Sequence, residues 1–378
     1  MPNFDRLIKV LFLEGEPDRV PFYDLFADPE ITEAIIGEDF RMYEIPVKYE
    51  MAVSEIPVKK ELKDSIKFYL KQLKASIKFY LKLGYDYVSL PIPSPFFRDN
   101  ILLAKDTAEL ARPKRAWQDE NRGVIETRED FNRYSWPDLN EIQETYLPVY
   151  EFVKGNLPDG MMIIPLTPGG VLENVMWLMG AVPFFRALYR DPILIRDMFE
   201  KVEAIISYIC KLASEGEMVG AMAMGDDMGY KNGPMMSLEN FRKYVFPWQK
   251  KCADAVHKHG KPFIFHSCGN LKLLMGDLIN YVGIDAKHSY EDTSYPVIEY
   301  KKAYGDRIAI LGGVDMDKLS RMPKKEFQTY VLGIIHECAP GGGYALGCGN
   351  SVANYIKLEN YLTMLEIGKK YGKYPIKV

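Results

Sequence analysis

The chain has 378 residues, 47% of them hydrophobic and 26% charged, with a formal net charge of −4 and a pI near 5.9. That is ordinary globular composition, large enough to bury a core without disulfide staples. The absence of a basic excess argues against a nucleic-acid partner.

The N-terminal stretch MPNFDRLIKVLFLEGEPDRVPF is short in apolar run and interrupted by Glu14, Glu16 and Asp18. It therefore reads as neither a signal peptide nor a membrane span. Five cysteines (Cys210, Cys252, Cys268, Cys338 and Cys348) form an odd set without framework spacing. A reducing, cytoplasmic setting fits them, with cysteine serving as packing, ligand or nucleophile.

Short apolar runs of β type recur, each followed by a longer stretch of helical period. The expected strands are Val20–Leu25, Tyr85–Pro91, Met161–Leu166, Ala221–Gly225, Pro262–His266, Ile284–His288, Ile308–Gly312 and Tyr344–Gly347. The expected helices are Leu62–Leu83, Leu172–Tyr189, Pro192–Glu215, Leu238–His259, Lys324–Cys338 and Ile356–Tyr371. Eight alternating units predict an α/β fold, a (β/α)8 barrel formed by residues 1–378 as one domain, with a helical extension at the N-terminus. An open doubly wound sheet is the alternative, but no G-x-G-x-x-G follows an early strand. The charged stretch Ser94–Arg133 is expected as an insertion after the second strand, with a hairpin around Asn121-Arg122-Gly123. Two local duplications, EIPVK at Glu44–Lys48 and Glu55–Lys59 and SIKFYL at Ser65–Leu70 and Ser76–Leu81, are each offset by 11 residues, about three helical turns. They read as the lengthening of a surface helix.

In a barrel, catalytic groups stand at the C-terminal ends of the strands. Those ends carry Asp24 and Asp28, then Glu173, then Asp226-Asp227, then His266-Ser267-Cys268-Gly269, His288, Asp315 and Cys348. His266 and Cys268 are two apart, so an extended segment projects both to one side. The strand ending at Cys348 closes the barrel at the same mouth. His, Cys, Cys with an open fourth position is a catalytic rather than a structural zinc pattern. The alternative is a satisfied strand-end histidine with core cysteines. Glu173 is favoured over Asp227 for the fourth position, the competing reading being that Glu173 caps a helix and Asp226 holds a loop. Tyr23, Tyr230 and His288 are the expected substrate contacts, His288 alternatively orienting a ligand.

The stretches PDRVPF, GDDMG followed by SLENFRKYVFPWQKK, HSCGN, LGGVD and GGGYALGCGNS resemble the uroporphyrinogen decarboxylase superfamily over nearly the whole chain. The decarboxylases carry an arginine-rich segment after the first strand and an aspartate after the second. Here those places read DLFADPE and SLPIPSP, and a histidine of an LGHG segment is replaced by Cys348 in LGCG. These departures are similar to the zinc-dependent methyltransferase branch, whose H-x-C and distant C are matched by His266, Cys268 and Cys348. The resemblance implies zinc, a methyl transfer, and a partner corrinoid protein carrying cobalamin. The expected reaction moves methyl from a methoxylated, aromatic small molecule to cob(I)alamin, with Glu173, Asp226 and Asp227 as catalytic carboxylates. Methyl transfer from methylcobalamin to coenzyme M is the alternative, followed by decarboxylation or a non-catalytic zinc- or corrinoid-binding barrel. A homodimer is left open.

Overall fold

The computed structural model describes residues 1–37, 58–108, 110–112 and 114–377. Seven strands form one parallel sheet in sequence order: β1 (Tyr87–Pro91), β2 (Met162–Leu166), β3 (Met222–Gly225), β4 (Phe263–His266), β5 (Ala286–His288), β6 (Ala309–Leu311) and β7 (Tyr344–Ala345). Apart from Met162, Gly225 and the exposed Pro91 at the ends of their strands, every one of these residues is buried. That suits a sheet covered on one face by helices and filled on the other by its own side chains.

The expected eighth strand, Val20–Leu25, is not a regular strand. Phe22 forms an isolated parallel bridge with Leu346, where the Tyr23 N–H donates to the Leu346 carbonyl at 2.9 Å and the Leu346 N–H donates to the Pro21 carbonyl at 2.9 Å. Pro21 has no N–H to give to a ladder. Towards β1 the segment is held by side chains instead. Tyr87 OH accepts the Asp24 N–H at 2.8 Å, and Ser89 Oγ donates to the Leu25 carbonyl. The barrel is thus closed on one side by backbone and on the other by hydroxyls.

Two expected helices are each broken in two. Val171–Met179 and Ala181–Arg190 meet at 98° across Gly180, whose φ is 78°. Leu238–Tyr244 and Phe246–His257 are separated at Val245, because Pro247 in the second helix cannot continue the hydrogen bonding of the first. The cap at Ser237 forms as expected, its hydroxyl accepting the Asn240 N–H at 3.2 Å. Among the described residues no single helix is long and apolar enough to cross a membrane.

Both SIKFYL copies fall within the helix Val58–Leu83. The first EIPVK copy lies outside the described residues, as does most of the second. In the Ser94–Arg133 stretch the hairpin is placed differently from expectation. Ile101–Ala104 pairs antiparallel with Arg115–Gln118, Leu102 opposite Trp117. Asn121-Arg122-Gly123 is instead an irregular bend packed on the Gly180 break, where a Cβ on Gly123 would collide with the Met179 backbone. The true connection is tied down by ion pairs: Arg112 meets Asp28 at 3.1 Å and Glu30 at 2.9 Å, and Asn354 Nδ2 donates to Asp106 at 2.7 Å. Asp28 and Asn354 both lie beyond barrel-strand ends, so the insertion sits at the mouth.

At the opposite end, His257 closes a helix on Asp285, its Nε2 2.8 Å from Oδ2, and the same oxygen accepts the Phe263 N–H at 2.7 Å. This pair sets where β4 begins, hence where His266 ends it. The hydrogen bond to Asp285 raises the His257 pKa above its usual value. A raised folded-state pKa gives stability that is complete below the unfolded pKa and lost as pH rises through the folded one. The stability difference between wild type and His257→Gln in urea is therefore expected to be larger at pH 5.5 than at pH 8.5; an equal or reversed difference would remove the pair's role.

Candidate active site and metal centre

The loops after β3 and β4 interlock. Asp226 N–H donates to the His266 carbonyl at 2.9 Å, Cys268 N–H to Asp227 Oδ1 at 2.8 Å, Met228 N–H to Ser267 Oγ at 3.1 Å, and Asn270 N–H to the Tyr230 carbonyl at 2.9 Å. Gly269, at φ 81°, approaches the Gly229 backbone so closely that any Cβ would collide with it. GDDMG and HSCGN are consequently one structural unit. It places Asp227, His266 and Cys268 so that one ligand atom from each lies within 4.8 Å of the others. His266 Nε2 is 3.6 Å from Cys268 Sγ and 3.9 Å from Asp227 Oδ1.

The other nitrogen of His266 is committed. His266 and His288 stand opposite each other in the β4–β5 register, and their Nδ1 atoms are 2.8 Å apart. His288 Nε2 lies 3.1 Å from the Cys348 carbonyl. Burial pushes the His266 pKa down to about 3, aided by the Lys287 charge, and holds His288 well below its usual value.

Cys268 Sγ receives Asn350 Nδ2–H at 3.3 Å and Ser289 Oγ–H at 3.6 Å. Burial, with the adjacent Asp227 charge, pushes its thiol up to about 12, so without a cation it stays protonated. Ser289 holds a left-handed φ of 83°, an uncommon conformation for a residue with a side chain, directly after β5. Lys287 is fully buried, its ammonium donating to the carbonyls of Ser289 at 2.6 Å, His288 at 3.2 Å and Ser267 at 3.4 Å. Burial lowers its pKa to about 7.

Two of the three ligands expected from the sequence, His266 and Cys268, are brought together, and Asp227 completes the group. Cys348 stands apart from that cluster: it is fully buried, its N–H donating to Asp24 Oδ1 at 2.7 Å, and burial and the Asp24 charge raise its thiol pKa. Asp24 also accepts Tyr361 OH at 3.1 Å and Tyr85 OH, and burial pushes it up to about 6.

Glu173, favoured over Asp227 for the fourth position, is not in this group. Glu173 occupies the first turn of the helix Val171–Met179 and turns its Oε2 back towards the Gly170 N–H at 3.5 Å. Burial, then the charges of Asp227 and Asp226, holds its carboxyl well above the usual range. Asp226 is wholly buried and serves the same helix start, accepting Leu172 N–H at 3.2 Å, Glu173 N–H at 2.8 Å and Gln249 Nε2–H at 2.7 Å. Burial pushes its pKa up to about 6.

Of the expected substrate contacts, Tyr230 is 59% exposed, whereas Tyr23 and His288 are closed off from solvent. Tyr23 stacks on Tyr87 and sets its edge against His288. Ser289, Asn350, Lys287 and Gln249 escaped the sequence reading. The first two stand next to His288 and two residues after Cys348, a proximity that was the available signal.

A family profile described as uroporphyrinogen decarboxylase (URO-D) matches residues 120–371, two thirds of the chain. No curated protein matches. Among solved structures, a methyltransferase from Methanosarcina mazei superposes with a TM-score of 0.66 at 15% identity, covering 97% of this chain and 98% of that one. A β-glucosidase from Pyrococcus furiosus gives 0.45 at 12% identity, covering 84% and 90%. At such identity the first likeness speaks for the fold, a barrel preceded by N-terminal helices. By the reach of the family profile, the chain belongs to the uroporphyrinogen decarboxylase family.

Proposed function

We propose that the protein is a zinc-dependent methyltransferase that takes methyl from a methoxylated, aromatic small molecule and delivers it to the cob(I)alamin of a partner corrinoid protein. The observation that carries this reading is the cluster of His266 Nε2, Cys268 Sγ and an Asp227 oxygen within 4.8 Å. Imidazole, thiolate and carboxylate together are a donor set suited to zinc. The hydrogen bonds from Ser289 and Asn350 favour the thiolate form of Cys268. Zinc bound there would supply a Lewis acid to stabilise negative charge developing on the ether oxygen.

The remaining roles fall to the chain itself. Glu173, whose carboxyl is pushed towards the protonated form by burial and by the charges of Asp227 and Asp226, supplies a proton at its carboxyl oxygen to the departing alkoxide or phenoxide. Asp226 keeps the Glu173 backbone in place. Tyr230, exposed after β3, meets the substrate. The Asp226 and Asp227 carboxylates favour a neutral ether over a sulfonate such as coenzyme M, which they would repel. With carboxylates at this mouth, and no arginine in the DLFADPE segment, the polyanionic porphyrinogen lacks its clamp.

Purified protein is expected to carry about one zinc per chain, and Cys268→Ser to lose most of it. Wild-type zinc content in that variant would remove the site. Because ligand thiols must deprotonate, zinc binding at pH 7 is expected to release about one proton if Cys268 alone joins and about two if Cys348 also turns in. Calorimetry in buffers of different ionisation enthalpy counts them, and zero would exclude thiolate ligation.

Mixing the enzyme with a cob(I)alamin-loaded corrinoid protein and a methoxyarene is expected to yield methylcobalamin and the free phenol. Glu173→Gln should slow this at least about tenfold while leaving zinc in place, since a positioned acid contributes at least that much. Uroporphyrinogen is expected to be decarboxylated no faster than spontaneously. Rapid methylation of coenzyme M, with every methoxyarene inert, would reverse the direction proposed.

A further inference from the structure

The His266–His288 contact fixes more than a ring orientation. A carbonyl oxygen can only accept, so the 3.1 Å contact to Cys348 requires His288 to carry its proton on Nε2. The His288 nitrogens face the His266 ring and the Cys348 carbonyl, and no carboxylate among the described residues pairs with them, so the ring holds one proton and keeps a lone pair on Nδ1. The 2.8 Å contact between the two Nδ1 atoms needs one donor, and that donor must be His266 Nδ1–H. His266 Nε2 is thereby left without a proton, facing Cys268 and Asp227.

Independent features hold His288 in place. Its ring is wholly buried, its centroid 5.2 Å from that of the edge-packed Tyr23 ring, and it lies in register beside His266. Gly312, at φ 82°, leaves the room that lets the ring reach across: a Cβ there would collide with the Cys348 carbonyl and sit 2.9 Å from His288 Cδ2. The glycine of LGGVD is thus part of the arrangement.

We propose that His288 is a positioning residue which, by accepting the His266 Nδ1 proton, presents the His266 Nε2 lone pair to the metal. The inference rests on the zinc site proposed above. Outer partners of ligand histidines commonly govern metal affinity in this way.

Two substitutions separate this from mere packing. An asparagine carbonyl takes the place of the imidazole Nδ1 and keeps an acceptor for His266. A glutamine amide takes the place of Nε2, keeping only the donor to Cys348. By chelator competition on the full chain, His288→Asn is expected to bind zinc within about threefold of wild type. His288→Gln and His288→Leu should bind about 10–100-fold more weakly. This order should hold whatever the unfolding midpoints of the zinc-free variants. Independently of any variant, nitrogen-15 spectra of the zinc-free protein, which has five histidines, should show His266 protonated at Nδ1 and His288 at Nε2.

Asparagine as weak as glutamine, all variants equal to wild type, or His266 protonated at Nε2 would each overturn the proposal. A wild type that binds no zinc overturns it together with the function above. The expected affinity order with no methyl transfer to any corrinoid overturns the reaction and supports the positioning role.

Discussion

A run of hydrogen bonds from the His266 ring through the His288 ring to the Cys348 carbonyl joins the ends of β4, β5 and the segment after β7. It depends on barrel geometry, since only parallel strands in register bring these three ends to one level. It also sets the chemistry, because an imidazole in the other tautomer would aim an N–H, not a lone pair, at the neighbouring thiol and carboxylate. The close approaches at Gly269 and Gly312 serve the same arrangement, one locking the β3 and β4 loops together, the other admitting the His288 ring.

Around this run the charged groups divide their work. Asp226 is spent on a helix start, Asp24 on the Cys348 backbone and two tyrosine hydroxyls, and Lys287 on three strand-end carbonyls. Among the described residues, Asp227 is the acidic group that joins His266 and Cys268. Burial disfavours charge at Asp226, Asp24, Cys268, His266 and Lys287, raising the carboxyl and thiol pKa values and lowering those of histidine and lysine. A bound cation would offset that cost for the Cys268 thiol, which is the electrostatic case for a metal at this place.

The mouth is finished by chain that is not part of the barrel ladder. Arg112 anchors the ribbon Ile101–Ala104 and Arg115–Gln118 to carboxylates beyond the Val20–Leu25 segment, and Asn354 ties it to the loop after β7. The same side of the barrel is closed by the Tyr87 hydroxyl on the Asp24 N–H and the Ser89 hydroxyl on the Leu25 carbonyl. Specificity in the proposed reaction therefore falls to elements outside the barrel ladder.

Alternating apolar runs and helical stretches determined the parallel α/β order by themselves, because hydrophobic period is local: the helix Lys324–Cys338 and strands such as Phe263–His266 lie where the pattern puts them. The H-x-C spacing likewise brought His266 and Cys268 together, since neighbours two apart in extended chain share a side. What lay beyond sequence were choices between residues of equal chemistry. Asp227 rather than Glu173 joins the cluster because Glu173 satisfies a helix N-terminus, and Cys348 turns to Asp24 rather than to Cys268. His288 meets the His266 ring because strand register, set across the sheet, buries the two side by side. The hairpin at Ile101–Ala104 was missed because its connection is held by Arg112 and distant carboxylates, while the turn signal at Asn121-Arg122-Gly123 answered to the break at Gly180. Local period is written in the sequence; which of several competing acids, thiols and rings meet is decided only when the strands close into a barrel.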